Sequence, residues 1–93
     1  MNYLTWQNIN KDIAKFIELF VLPNTLAFTL AKLYFDDIEI QDSYKVFYNT
    51  IRNLFNIIDE DKNLIFKITR QILYVKYGLE FESVNPIKFK KIN

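Results

Sequence analysis

IAKFIELFVLPNTLAFTLAKLYF, from Ile13 to Phe35, is the longest apolar concentration in the chain, and Pro23-Asn24 divides it. Proline donates no backbone hydrogen bond, and its ring steers the preceding residue, Leu22, away from helical geometry. The stretch therefore predicts two helices meeting at a corner. The first carries Trp6, Ile9, Ile13, Phe16, Ile17 and Phe20 at spacings of three and four, one face of a helix that ends near Val21. Asn24 or Thr25 then caps a second helix with Leu26, Ala27, Phe28, Leu30, Ala31, Leu33, Tyr34 and Phe35. That helix is apolar on nearly every side, which makes it the expected centre of the fold or else a helix partly committed to a partner.

Outward from this stretch the composition changes abruptly. Asp36-Asp37-Ile38-Glu39-Ile40-Gln41-Asp42 reads as a loop, and Asp42 or Ser43 as the cap of a third helix carrying Tyr44, Phe47, Tyr48, Ile51, Leu54, Phe55 and Ile58. After Asp59-Glu60-Asp61-Lys62-Asn63, a fourth helix presents Leu64, Ile65, Ile68, Ile72 and Val75 and stops at Gly78, a residue at ease with positive φ. Beyond Gly78 the period shortens to two. Leu79 to Glu82 and Ile87 to Lys90 then form a hairpin with Phe81 opposite Ile87, or else an extended tail against the core. The fold class expected is all-α: a small antiparallel four-helix bundle in one domain, helices over 1–78 and an extended segment or β-hairpin over 79–93.

A chain of 93 residues buries roughly 60 to 65% of its unfolded surface, enough for one modest core. Half of the residues are hydrophobic, and only one is glycine, so the composition is that of an ordered chain. There is no cysteine and no histidine. Disulfides, thiolate nucleophiles, the usual zinc sites and every Ser-His or Cys-His catalytic arrangement are thereby excluded. With no nucleotide or metal motif either, the expectation is a non-enzyme without cofactor or metal. MNYLTWQNINKD opens polar and aromatic, unlike a secretory signal, which points to the cytoplasm. The segment from Ile17 to Phe35 is long enough to span a bilayer, but Glu18, Pro23, Asn24 and Lys32 interrupt it, and a soluble core with no membrane partner is the expectation.

Charge is segregated although the net charge is only +1: from Asp36 to Asp61 seven acidic residues face two basic ones, and from Lys62 onward seven basic residues face two acidic ones. The acids, Asp36, Asp37, Glu39, Asp42, Asp59, Glu60 and Asp61, either favour the starts of neighbouring helices or form a surface that imitates phosphate spacing for a basic partner. Tyr34, Tyr44 and Tyr48 are the matching aromatic anchors, because tyrosine suits surfaces that are half buried and half wet. Lys67, Arg70 and Lys88 to Lys91 make the contrary case for nucleic acid.

The opening pair of helices, together with YKVFYNTIRNLFNIIDEDKN and LIFKITRQIL further on, resembles the colicin D-type and contact-dependent growth inhibition immunity proteins over Ile13 to Tyr77. The resemblance implies a cytoplasmic bacteriocin-immunity protein that binds and occludes the active site of a cognate nuclease toxin, commonly one that cleaves transfer RNA. Two alternatives stand beside it. One is a small nucleic-acid-binding regulator using the basic C-terminal third, the other a phage-type inhibitor of a host nuclease.

Overall fold

Pro23 does not break the chain. The computed structural model describes residues 11–40, 42, 45, 46, 48, 49, 59–84 and 86–92, without the side chains at 11 and 59–61, and helical backbone runs uninterrupted from residue 11 to 35. It consists of α1 (Lys11–Phe16), a π-helical turn (Ile17–Val21) and α2 (Leu22–Phe35). The π turn explains how the proline is accommodated. In an α-helix the proline ring clashes with the carbonyl four residues back, whereas here the Leu22 N–H reaches the Ile17 carbonyl, five residues back. The wider turn relieves that clash just before the ring. Asn24 and Thr25 then add side-chain donors to the same turn: Asn24 Nδ2 donates to the Phe20 carbonyl at 2.7 Å, and Thr25 Oγ1 to the Val21 carbonyl at 2.8 Å. Residues expected to cap a new helix instead mend an existing one.

The four-helix bundle is thereby overturned. Two of its helices are one, and the described residues form this long helix, α3 (Asp59–Tyr77) and a two-stranded antiparallel sheet, an α+β arrangement measuring 45 × 23 × 22 Å. Helical residues also occur at 40, 42, 45, 46, 48 and 49. The remainder of the expected third helix, with Tyr44, Phe47, Ile51, Leu54, Phe55 and Ile58, lies outside the described residues, as do Trp6 and Ile9.

Burial follows one side of α2. Leu22, Leu26, Ala27, Leu30 and Ala31 are buried together with Pro23, while Phe28 on the opposite side is 56% exposed. The helix is central on one face only. Ile13, Phe16 and Phe20, expected in the core, are also exposed, and the last two stack on each other with ring centroids 5.1 Å apart. On α3 the buried residues are Ile65, Thr69 and Leu73, spaced by four, so the inward face is rotated away from the expected Leu64 and Val75. Thr69 can lie in the core because its hydroxyl donates to the Ile65 carbonyl at 2.7 Å, leaving only its methyl group to pack. Leu22 and Leu26 gather with Ile65 and Tyr48, and Ala27, Leu30 and Ala31 with Leu73, Leu79 and Phe89. Low numbers meet low and high meet high, so α2 and α3 run in the same direction.

Gly78, at φ +66°, ends α3, and a hairpin of β1 (Leu79–Val84) and β2 (Ile87–Lys91) folds back along the helix. Phe81 thus reaches Phe66, their rings 5.3 Å apart at 27°. The register differs from expectation. Val84 pairs with Ile87 across a two-residue loop, and the extra residue Glu82 bulges between Phe81 and Ser83. Tight turn and bulge together place Phe81 opposite Phe89, ring centroids 4.6 Å apart, and Glu80 opposite Lys90, an ion pair at 3.3 Å. Without the bulge, Phe81 would face the polar side. Leu79 and Phe89 seal the sheet against α2 and α3, as so small a sheet requires.

Asp12–Phe35, 24 residues, is long and apolar enough to cross a membrane by length and composition, yet a third of its apolar window is buried against the rest of the protein. The packing sets the stability expected of substitutions on α3. Leu73→Ala should lower the unfolding free energy by about 2 to 5 kcal/mol, whereas Val75→Ala, at a site 83% exposed, should change it by less than about 0.5 kcal/mol. Urea denaturation of the two variants checks this, and equal losses would contradict the rotated face.

Candidate functional site

Helix α2 ends in a capped turn that assembles the most chemically loaded corner of the described surface. The Ile38 N–H donates to the Leu33 carbonyl at 2.9 Å and the Asp37 N–H to the Tyr34 carbonyl at 3.2 Å, with Asp37 at φ +57°. These two bonds around a left-handed residue are the Schellman arrangement, which glycine usually supplies. An aspartate in that place adds charge where the helix gains nothing from it. The C-terminal end of a helix carries partial negative charge, so Asp36 and Asp37 are mildly unfavourable there. Lys32 offsets Asp36 with an exposed pair at 3.4 Å, worth under about 1 kcal/mol.

Around these carboxylates the surface is apolar. Phe35 and Ile38 are each about half exposed, and with Tyr34, Asp37, Ile40 and Lys91 they line a cleft of ≈ 380 Å³. Tyr34 is held from within, its ring edge-on to Phe35 at 5.2 Å and to Phe89 at 6.0 Å. Lys91 lies 5.9 Å from the centre of the Phe35 ring, which shows that this ring face accepts a cation. Val21, Phe28 and Phe35 recur every seven residues on the exposed side of the helix, a spacing that drifts only about 20° per repeat. They form a stripe leading into the corner. Its chemistry suits a cationic side chain on an apolar stem.

The seven acidic residues do not share one face. Asp36, Asp37, Glu39 and Asp42 are exposed at the end of α2, and Glu39 and Asp42 flank Ile40, where helical backbone resumes. Residues 59–61 begin α3, and because α2 and α3 are parallel their backbone stands at the other end of the molecule, about 27 Å away along the axis of the 19-residue helix; their side chains lie outside the described residues. Tyr44 is likewise outside. Tyr48 is only 8% exposed, packed with Leu22, Leu26 and Ile65, so it belongs to the core and not to the acidic corner. The basic residues Lys67, Arg70, Lys88, Lys90 and Lys91 are exposed, but Glu80 pairs with Lys90 and the acidic corner borders Lys91, which breaks any continuous basic face. Among the described residues no group of three His, Cys, Asp or Glu is placed to hold a metal ion. Sequence reasoning missed Phe35 and Ile38 as surface residues. The signal was an apolar residue on each side of Asp36-Asp37, the pattern of a capped helix end.

Compared with protein-family models, curated proteins and solved structures, the chain matches none.

Because Asp37 stands in the left-handed region, Asp37→Gly should leave stability unchanged or raise it by up to about 1 kcal/mol, while Asp37→Ala should lower it by about 1 kcal/mol. Chemical denaturation distinguishes the two. A glycine variant less stable than the alanine one would contradict the turn geometry.

Proposed function

We propose that the protein acts by binding: it occludes the active site of a basic nuclease toxin in the cytoplasm, in the manner of an immunity protein. One observation carries the reading. Asp36 and Asp37 occupy a helix C-terminus, where charge–dipole interaction disfavours them, beside half-exposed Phe35 and Ile38. For these two residues the structural explanation of an acidic loop, favourable carboxylates at helix starts, fails. An apolar patch rimmed by carboxylates is what a basic partner selects, with rings supplying buried contact and acids supplying steering. A nuclease cleft must attract a polyanion, so it carries lysine and arginine, and carboxylates can take the phosphate positions. The fold differs from the bundle of the immunity proteins the sequence resembles, and the proposal needs only the surface. A phage-type inhibitor of a host nuclease would use the same chemistry.

The test is neutralisation of a tRNA-cleaving toxin domain encoded in the same locus, read as growth rescue on co-expression and as inhibition with purified components. Reversing Asp36, Asp37 and Glu39 to lysine should slow association about tenfold or more at low salt, and wild-type association should slow as salt rises. Phe35→Ala should act mainly by speeding dissociation. If reversing the acids leaves neutralisation intact while reversing Lys88, Lys90 and Lys91 to glutamate abolishes binding to RNA or DNA, the protein is a nucleic-acid-binding regulator instead.

A further inference from the structure

At the end of the molecule away from the acidic corner, the hairpin tip closes over the N-terminal half of α3. The cleft between them measures ≈ 390 Å³ and is predominantly apolar, with Tyr48, Phe66 and Val84 as its walls and Lys45 and Lys62 at its rim. We propose that it binds a small monocarboxylate with an apolar, ring-bearing body. The site does not depend on the toxin-binding reading.

Three features fix the ligand class. The volume lies at the lower end of small-molecule sites, about 300 to 1,000 Å³, which suits a single ring with a short arm. The walls favour a ring: Phe66 stacks against Phe81 at 5.3 Å yet stays half buried, so part of it remains to the cleft. The rim supplies the charge. Lys62 is half buried, and neither it nor Lys45 forms an ion pair with a described residue. An ammonium on a half-buried stem beside apolar walls gains from an anion that enters with its own apolar body, which shields the pair from water, and two point-like cations can each take one carboxylate oxygen.

Titration of the full chain with phenylpropanoate, phenylpropanol, phenylpropylamine and acetate, followed by backbone amide NMR, separates body from charge. Phenylpropanoate should bind saturably and shift amides at 62–66 and 84. Phenylpropanol should bind about tenfold more weakly, and neither acetate nor the amine should saturate. In Lys45→Gln/Lys62→Gln the preference for acid over alcohol should vanish while alcohol binding stays as in the wild type. The wild-type series decides even if that variant fails to fold, since the acid preference should also shrink as salt rises. The proposal is overturned if phenylpropanoate shows no saturable binding, if acid and alcohol bind the wild type equally, if acetate binds as tightly as phenylpropanoate, or if the shifts map to another surface.

Discussion

Everything in this fold depends on carrying a helix past Pro23. The proline removes one donor and brings a ring against the preceding turn, and a break there would separate Leu22 from Leu26, Leu30 and Ala31 and split the core cluster that Leu22 and Leu26 share. The π turn Ile17–Val21 prevents it by widening the helix one turn early, while Asn24 and Thr25 bring donors to the carbonyls of Phe20 and Val21. A single rod results, about 36 Å long over the 24 residues from Asp12 to Phe35. Both core clusters are laid out along it.

A rod presents two sides, and among the described residues the packing elements cover one. Parallel α3 takes the side bearing Leu22, Leu26, Ala27, Leu30 and Ala31, and the hairpin reinforces the far end through Leu79 and Phe89. Val21, Phe28 and Phe35 are left outward. Polar side chains on this helix bond to its own carbonyls, as Thr29 Oγ1 does to Thr25 at 2.8 Å, so they blunt the apolar character of that side less than their residue types suggest. Exposed aromatic residues along an ordered helix cost solvation without adding to the core, and the proposed partner surface is built on them.

How much of this was legible in the sequence depends on whether a residue's usual meaning held locally. Gly78 ended its helix at positive φ as read, and Ile65 and the period-two segment beyond Gly78 pointed inward and to strands correctly. Pro23 misled because its meaning rests on α-helical geometry, and a π turn changes that geometry at small cost. Thr69 misled because a hydroxyl counts as polar in a pattern, although its bond to Ile65 removes the polarity; with Thr69 read as polar, the stripe through Ile65 and Leu73 was invisible and Val75 took its place. The hairpin register turned on Glu82, and nothing in a single sequence says which residue of a strand will bulge. At the candidate site the acids were legible as a cluster, and so was their separation, because an up-and-down order of helices already sets the loops before and after the third helix at opposite ends; the exposed apolar residues beside the first acidic segment were not.

That separation gives the two ends of the molecule different chemistry. At the end of α2, carboxylates surround Phe35 and Ile38, and each carboxylate is exposed, so its field reaches solvent and can steer a large cationic surface from a distance. At the other end, Lys45 and Lys62 stand over Tyr48, Phe66 and Val84 in a cleft, and a half-buried cation in that setting acts at short range on whatever enters. Exposed charge acts on a large body at a distance, whereas charge beside an apolar recess acts at short range through fit and desolvation. The two sites share no residue, but Asp42 of the first precedes Lys45 of the second by only three residues, so changing the charge at one reaches the other through a field that salt screens with a Debye length of about 8 Å at physiological ionic strength.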